Sequence, residues 1–412
     1  MPGIVAFPPV VQEALQTYGD LFANEPQRRH VAEYLTGLFV AERKTVRGIH
    51  QEFAHTTDQS CLNKFLTTGD WDLEALNARR LDSVQHDQDL RSSDHGVIPL
   101  DNVRIDHDGQ LIEDAGWFWD HAEQRNKIAH DYLFVNYVCT SGKHYPLFFR
   151  RFRKEQLGKD RAEEFRNHTK LAGDLIDAVC ARHLPGTFPW DSSFANAEIM
   201  NHTHAQRDRF GQPRAYVGDL KFHRKVAWKG TVQKIADLAA RIAVADRKEL
   251  RQGDERQWYF TTTLHIPDVK HKVRVVLLWE RRGAAKPRKM LVTNRLPWEV
   301  TRIVRVYRRR WTGTETFHRD GKQQLGMGDC QLPDGQGQTR PMHLVMVAYR
   351  LLMRPLRHGR AQDWALQRLM TIGEACRALL RETLRTTLTW ATEQVTQKSQ
   401  RLDHVIAELG LL

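Results

Sequence analysis

Hydrophobic positions recur at helical spacing near the start of the chain. Val31, Leu35, Leu38 and Phe39 share one face with polar residues between them, and residues 10 to about 80 read as helices joined by short loops. From Ser83 to His95 the pattern stops in a polar, acidic run rich in histidine and aspartate, which reads as a linker. A short apolar approach, Gln110-Leu-Ile-Glu-Asp-Ala115, is strand-like and ends in an acidic pair. Tyr132–Cys139 and His144–Phe149 are rich in β-branched and aromatic residues, and Ser141-Gly142 between them predicts a hairpin. Arg150, Arg151, Arg153 and Lys154 follow as a basic cluster. Phe165–His183 has an amphipathic helical period and is closed by Pro185-Gly186. A short strand, Thr187-Phe-Pro-Trp, then runs into Asp191. Three further β-rich runs are Gln257–His265, Lys272–Trp279 and Lys289–Asn294, with charged turns between them. A long basic helix spans Tyr307, and two closing helical stretches cover Pro341–Leu356 and Trp364–Glu408.

Composition narrows the class. With 412 residues and 41% hydrophobic positions the chain can build two or three domains around substantial cores, and disorder is excluded. Its net charge of +12 favours a polyanionic partner. The five cysteines are scattered without a C-x-x-C pair, so the expectation is reduced thiols in a cytosolic, cytoplasmic protein, with neither a zinc ribbon nor a disulfide framework. The first residues lack the pattern of a signal peptide, and no apolar run approaches the roughly 18 residues of a membrane span, so no membrane partner is expected. Nucleotide-binding glycine loops and the G-x-S-x-G elbow are absent as motifs. His202-Thr-His204 is a pair without a third ligand and reads as surface.

The densest chemistry lies in Val304–Gly326, where Glu315 sits among Arg305, Arg308, Arg309, Arg310, Arg319 and Lys322. At about 100° per residue, Trp311, Glu315, Arg319 and Lys322 fall on one helical face. Taken alone, this is a solvated basic helix with an i,i+4 pair worth a few tenths of a kcal/mol. Tyr307, Arg310, Glu315 and Lys322, followed by Leu325-Gly326, resemble the Tyr/Arg/Glu/Lys signature of bacterial insertion-sequence transposases of the DDE class. Tyr34–Leu38, Glu42–Thr45, Phe65-Leu66 and Trp71-Asp72 are similar to the N-terminal region of one subgroup of these enzymes.

The resemblance implies an α/β fold. Its RNase H-like mixed-sheet core would carry a β-rich insertion before the glutamate-bearing helix, with helical N-terminal and C-terminal regions. The expected divisions are a helical DNA-binding region over 1–82, a linker over 83–109, the first part of the core over 110–225, the insertion over 226–298, the glutamate helix over 299–340 and a helical region over 341–412. In such a core the first catalytic aspartate lies on the first, central strand; Asp114 is assigned to it, Asp191 to the second position and Glu315 to the third. Asp219 is set aside as a surface residue on the next strand. The three carboxylates would hold two Mg²⁺ ions, with Mn²⁺ able to substitute, for cleavage at element ends and strand transfer into target DNA. Tyr307, Arg308, Arg310, Arg319, Lys322, Lys221 and Arg224 would contact double-stranded DNA, both terminal inverted repeats and target, in a homodimer formed on the DNA ends. The alternatives are a metal-dependent nuclease without strand transfer and a domesticated, non-catalytic DNA-binding protein.

Two local expectations follow. Arg310 stands five positions before Glu315, one more than the signature's spacing, so a straight helix would turn it about 140° away and bring Arg308 into line. Thr312-Gly-Thr314 is poor helix sequence, and a break at Gly313 that keeps Arg310 in place is the expected solution. Trp258, Trp279 and Trp298 are either core residues or stacking surfaces for an extruded base.

Overall fold

The computed structural model describes residues 3–107, 109, 111–120, 123–155, 165–357 and 364–411. The chain divides into two compact units: Met1–Arg91, Arg104–His130 and Phe317–Leu412 form the first, and Ser92–Val103 with Asp131–Thr316 form the second.

Helices dominate the first unit: α1 (Pro9–Tyr18), α2 (Glu25–Val40), α3 (Val46–His50), α4 (Gln59–Thr67) and α5 (Leu73–Gln85). Side chains of Asn24, Thr45, Asp58 and Asp72 cap the last four, accepting from backbone N–H groups that would otherwise lack partners. Three strands follow in chain order, β1 (Leu100–Asp106), β2 (Gly116–Asp120) and β3 (Arg125–Val138), and β2 pairs antiparallel with the first residues of β3. The expected strand over 110–115 does not form. Leu111–Asp114 is a turn, Asp114 takes a left-handed φ of 66°, and Gln110 lies outside the described residues. The expected linker, in turn, contains β1.

The second unit continues with β4 (His144–Phe152), α6 (His168–Ala181), β5 (Phe188–Trp190), α7 (Ala197–Ala205), β6 (Tyr216–Asp219), β7 (Lys225–Trp228), β8 (Thr231–Lys234), α8 (Ile235–Arg241), β9 (Lys248–Gln252), β10 (Glu255–Leu264), β11 (Val273–Trp279), β12 (Lys289–Thr293) and α9 (Val300–Gln324), whose last turns belong to the first unit. The first unit is completed by α10 (Gly335–Met353), α11 (Ile372–Thr396) and α12 (Leu402–Glu408). There α10 and α11 both pack on α2, whose 16 residues are buried nearly all round. The N-terminal and C-terminal helices thus share one core. Arg350 on α10 is buried, at 6% exposure.

Backbone bonds fix the strand order of the second unit. The Val97 N–H donates to Val138 and that of Asn136 to Pro99 on one side of the approach to β1; the Ile98 N–H donates to Thr187 and that of Thr187 to Gly96 on the other. The order is therefore β4, β3, β1, β5, β6 and then β12, β11, β10, β9. β5 and β6 run parallel, while β6 to β9 pair antiparallel along this path. This mixed α/β architecture fits an RNase H-like core flanked by helical regions, and its central strand is β1. The expected hairpin is present as β3 and β4, and the insertion strands extend the same sheet beyond β6.

Helix α9 lies on this sheet through Val300, Ile303, Val304 and Val306, which pack with Val97, Val138, Val217, Val276 and Leu291. Each such aliphatic side chain contributes roughly 1.5–3 kcal/mol on full burial. The helix runs unbroken through Gly313, so the expected break is absent. The glycine serves contact instead: a Cβ there would stand 2.5 Å from Pro99 Cγ and 2.6 Å from Val138 Cγ2. Asn136, beside a register shift in the pairing of β3 with β4, donates from Nδ2 to the Gly313 carbonyl at 2.7 Å.

Gly313→Ala is a signed test of this packing. In an open helix the change stabilises by about 1 kcal/mol. Here overpacking reverses the sign, and a net loss of about 1–3 kcal/mol is expected in denaturant unfolding. A gain in stability would mean that α9 does not approach the sheet this closely.

Candidate active site

Asp101 stands on β1, directly after the apolar run Val97-Ile-Pro-Leu100, and is 8% exposed. The Arg310 Nη1 reaches its Oδ2 at 2.6 Å, and the Asn102 N–H donates to its Oδ1 at 3.0 Å. Asp191 follows the last residue of β5, where the Ser193 N–H and hydroxyl donate to Oδ1 at 2.9 and 2.5 Å. This turn fixes the carboxylate before the chain enters α7. Glu315 lies on α9, two residues after Gly313, and is partly exposed.

Asp191 and Glu315 are both within charge range of Asp101. Burial pushes the Asp101 carboxyl up to about 6; Asp191 and Glu315 push it the same way, and Arg310 and the Asn102 N–H oppose them. Burial disfavours the charge on Arg310, but Asp101, Tyr307, Asp191 and Glu315 together hold the guanidinium above its ordinary value. One buried arginine thus only partly offsets three neighbouring carboxylates. Such a surplus of hard oxygen donors suits a divalent cation, which would relieve the repulsion. Among the described residues no group of three acidic, histidine or cysteine side chains is already close enough to hold a metal ion. Asp101, Asp191 and Glu315 supply hard oxygen donors of the right kind, which a bound cation would have to draw together.

The other expected site residues have various settings. Asp114 sits in the turn of the first unit, while Asp101 occupies the central-strand position assigned to it. Asp219 is not a surface residue. It is 8% exposed at the end of β6, paired with Lys289 Nζ at 2.7 Å and accepting from the Tyr307 hydroxyl at 3.3 Å and the Met290 N–H at 3.2 Å. Tyr307 is therefore held by this cluster, with the Arg310 guanidinium 5.9 Å from its ring. Arg308 pairs with Glu255 on β10. Although the helix is regular, Arg310, not Arg308, keeps company with the acidic group. Arg319 pairs with Asp320 at 3.1 Å, and Lys322 donates to the Arg104 carbonyl at 2.6 Å; both belong to the first unit. Lys221 and Arg224 line a cleft of about 370 Å³ with Ser192, Ser193 and Asn196, immediately after Asp191. Of the tryptophans, Trp279 is fully buried under Arg247 and offers no free face, while Trp298 carries Arg302 at 4.0 Å.

Residues 17–209 match the family described as DDE superfamily endonuclease. The match covers just under half of the chain, includes Asp101, Asp114 and Asp191, and ends before Glu315. No curated protein matches. The DDE match supports a metal-dependent nuclease of the transposase kind. Among the described residues no helix is long and apolar enough to cross a membrane.

The sign of the Asp101 shift gives a test in chelator. Its carboxyl titrates near 6 in the fold against an ordinary 3.8, so its stability contribution is fully present below about 4 and is lost as pH rises through 6. Asp101→Asn removes this loss. The variant should match the parent near pH 4 and exceed it by about 2–3 kcal/mol at pH 8. Equal stability at both pH values would mean that burial and the neighbouring acids do not disfavour the Asp101 charge.

Proposed function

We propose that the chain is a DDE-type DNA transposase that cleaves element ends and transfers them into target DNA, with Asp101, Asp191 and Glu315 as its catalytic carboxylates. The observation carrying this reading is the 2.6 Å ion pair between Asp101 and Arg310, which ties the central strand to the helix that carries Glu315, with Asp191 at the end of the adjoining β5. Topologically distant residues have no packing reason to gather three acids beside one arginine. The DDE match and the net charge of +12 support a DNA substrate.

Bound Mg²⁺, or Mn²⁺ in its place, supplies Lewis-acid activation of the attacking hydroxyl and stabilisation of the leaving 3′-oxygen at phosphorus. The chain supplies the frame. β1 buries Asp101, the turn at Ser193 holds Asp191, and α9 carries Glu315 and Arg310 together. Arg310 orients Asp101 and keeps a positive charge beside the scissile phosphate. Lys221 and Arg224 contact the backbone leading to Asp191, while Lys322, Arg319 and Arg308 extend the phosphate path along α9. Terminal inverted repeats and target DNA are the substrates, and a homodimer would bring two ends together. Tyr307 acts as a positioning residue through the Asp219–Lys289 pair and Arg310.

Asp101→Asn, Asp191→Asn and Glu315→Gln should each lower Mg²⁺-dependent cleavage by more than 10³-fold while leaving DNA binding measurable, and Asp114→Asn should stay active. An inactive Asp114→Asn beside an active Asp101→Asn would restore the assignment to the 111–114 turn. Joining of a precleaved 3′-hydroxyl oligonucleotide to a plasmid is expected as well. Cleavage without joining would leave a nuclease, and binding with neither reaction a non-catalytic DNA-binding protein.

A further inference from the structure

A second cleft lies at the opposite end of the same strands. Gly186 and Thr187 precede β5, Arg214 and Ala215 precede β6, and Arg295 follows β12, whereas Asp191 and Asp219 mark the other ends of β5 and β6. The floor continues into Trp298 and Arg302 at the start of α9, and the volume is about 230 Å³. At about 1.5 Å per residue, Arg302 stands about 20 Å along α9 from Glu315.

The charge in this cleft is unbalanced. Its two carboxylates are already engaged, Asp94 by Arg209 and Asp208 by Arg295 at 3.5 Å. Arg302 stacks on Trp298 at 4.0 Å, and among the described residues neither it nor the adjoining Arg305 has a carboxylate partner. Burial lowers the Arg302 pKa, and Arg305 and Arg295 lower it further, so the cations here repel one another. Arg214 is 3% exposed, donates to the Leu184 carbonyl at 2.7 Å, and keeps a buried Nε without an acceptor. Phe210 stands 67% exposed with the Arg209 guanidinium 4.8 Å from its ring. An uncompensated guanidinium held on an aromatic face, Arg302 on Trp298, with the spare buried donor of Arg214, forms a setting for phosphate oxygens.

We propose that this cleft is a second phosphate-backbone site, holding DNA backbone away from the scissile phosphate. The inference rests on the DNA reading above but not on the carboxylates. A phosphate at Arg302 and a scissile phosphate at Glu315 are separated by about 20 Å, roughly six base pairs along a duplex, so the two contacts hold different phosphates. Arg302 in the cleft and Arg305 one turn further along α9 give the charge, Trp298 fixes the plane of the Arg302 guanidinium, and Phe210 offers a rim against the sugar.

The test is the salt dependence of duplex binding in chelator, where no cleavage occurs. Replacing Arg302 and Arg305 together by Gln should weaken binding several-fold. The slope of log K against log salt should fall by about two, one for each lost phosphate contact. Arg302→Lys with Arg305→Lys, which keep the charges, should retain the slope and so separate charge loss from misfolding. An unchanged slope in the Gln variant would overturn the site. Displacement of DNA from these arginines by a polyglutamate peptide at equal charge concentration would overturn it in favour of an acidic protein partner. Because binding is read without metal, a chain that uses Arg302 yet never cuts DNA would sink the transposase reading and leave this one standing.

Discussion

A carboxylate buried on the central strand, with one arginine for its counter-charge, is the constraint around which the second unit is arranged. Asp101 cannot be held there ionised without a cation, and the sheet has none to give at that point. Arg310 comes from α9, so the helix must lie close enough for a 2.6 Å ion pair. Two devices permit the approach. Gly313 removes the side chain that would meet Pro99 and Val138, and Asn136 ties the helix carbonyl to the bulged edge of β3. The apolar stripe from Val300 to Val306 then supplies the burial that keeps the helix seated. Glu315 arrives beside Asp101 as a result of this seating, since it is only two residues beyond the contact.

A second ionic group braces the same helix further along. Asp219, Lys289 and Tyr307 join β6, β12 and α9, and Tyr307 faces Arg310. The pair is partly exposed on the lysine side, so its value lies in orientation more than in stability. Lys289 begins β12, which ties the inserted strands to the core through its pairing with β6. The strands beyond β6 and the Asp101–Arg310 pair are thus joined through one tyrosine. This explains why Tyr307 is turned inward and not toward solvent.

Much of this was legible in the sequence. The hairpin, the helix before β5, the strand ending in Asp191 and the three inserted strands all carry clear periodicity or turn signals. The sequence points away from β1 for an identifiable reason. Val97-Ile-Pro-Leu100-Asp101 is an apolar run ending in an acid, as a central strand should be, but Pro99 argues against a paired strand and the preceding residues are polar. Pro99 is tolerated because its carbonyl accepts from Asn136 and its ring packs where Gly313 has no side chain. Neither partner is near in sequence. The same contact explains Gly313, whose local propensity argued for a broken helix while its tertiary role was clearance. Asp219 looked like a surface residue because its lysine partner lies 70 residues away.

Helix α9 carries Arg302 near its start and Glu315 near its middle with no interruption between them. A continuous helix converts sequence distance into both length and angle, so these thirteen residues act as a ruler and a compass at once. Loops elsewhere in the unit can lengthen with little effect on the site. Here a single inserted residue would swing one end about 100° around the axis relative to the other. The length of α9 between these two positions is therefore fixed even where its individual side chains are not.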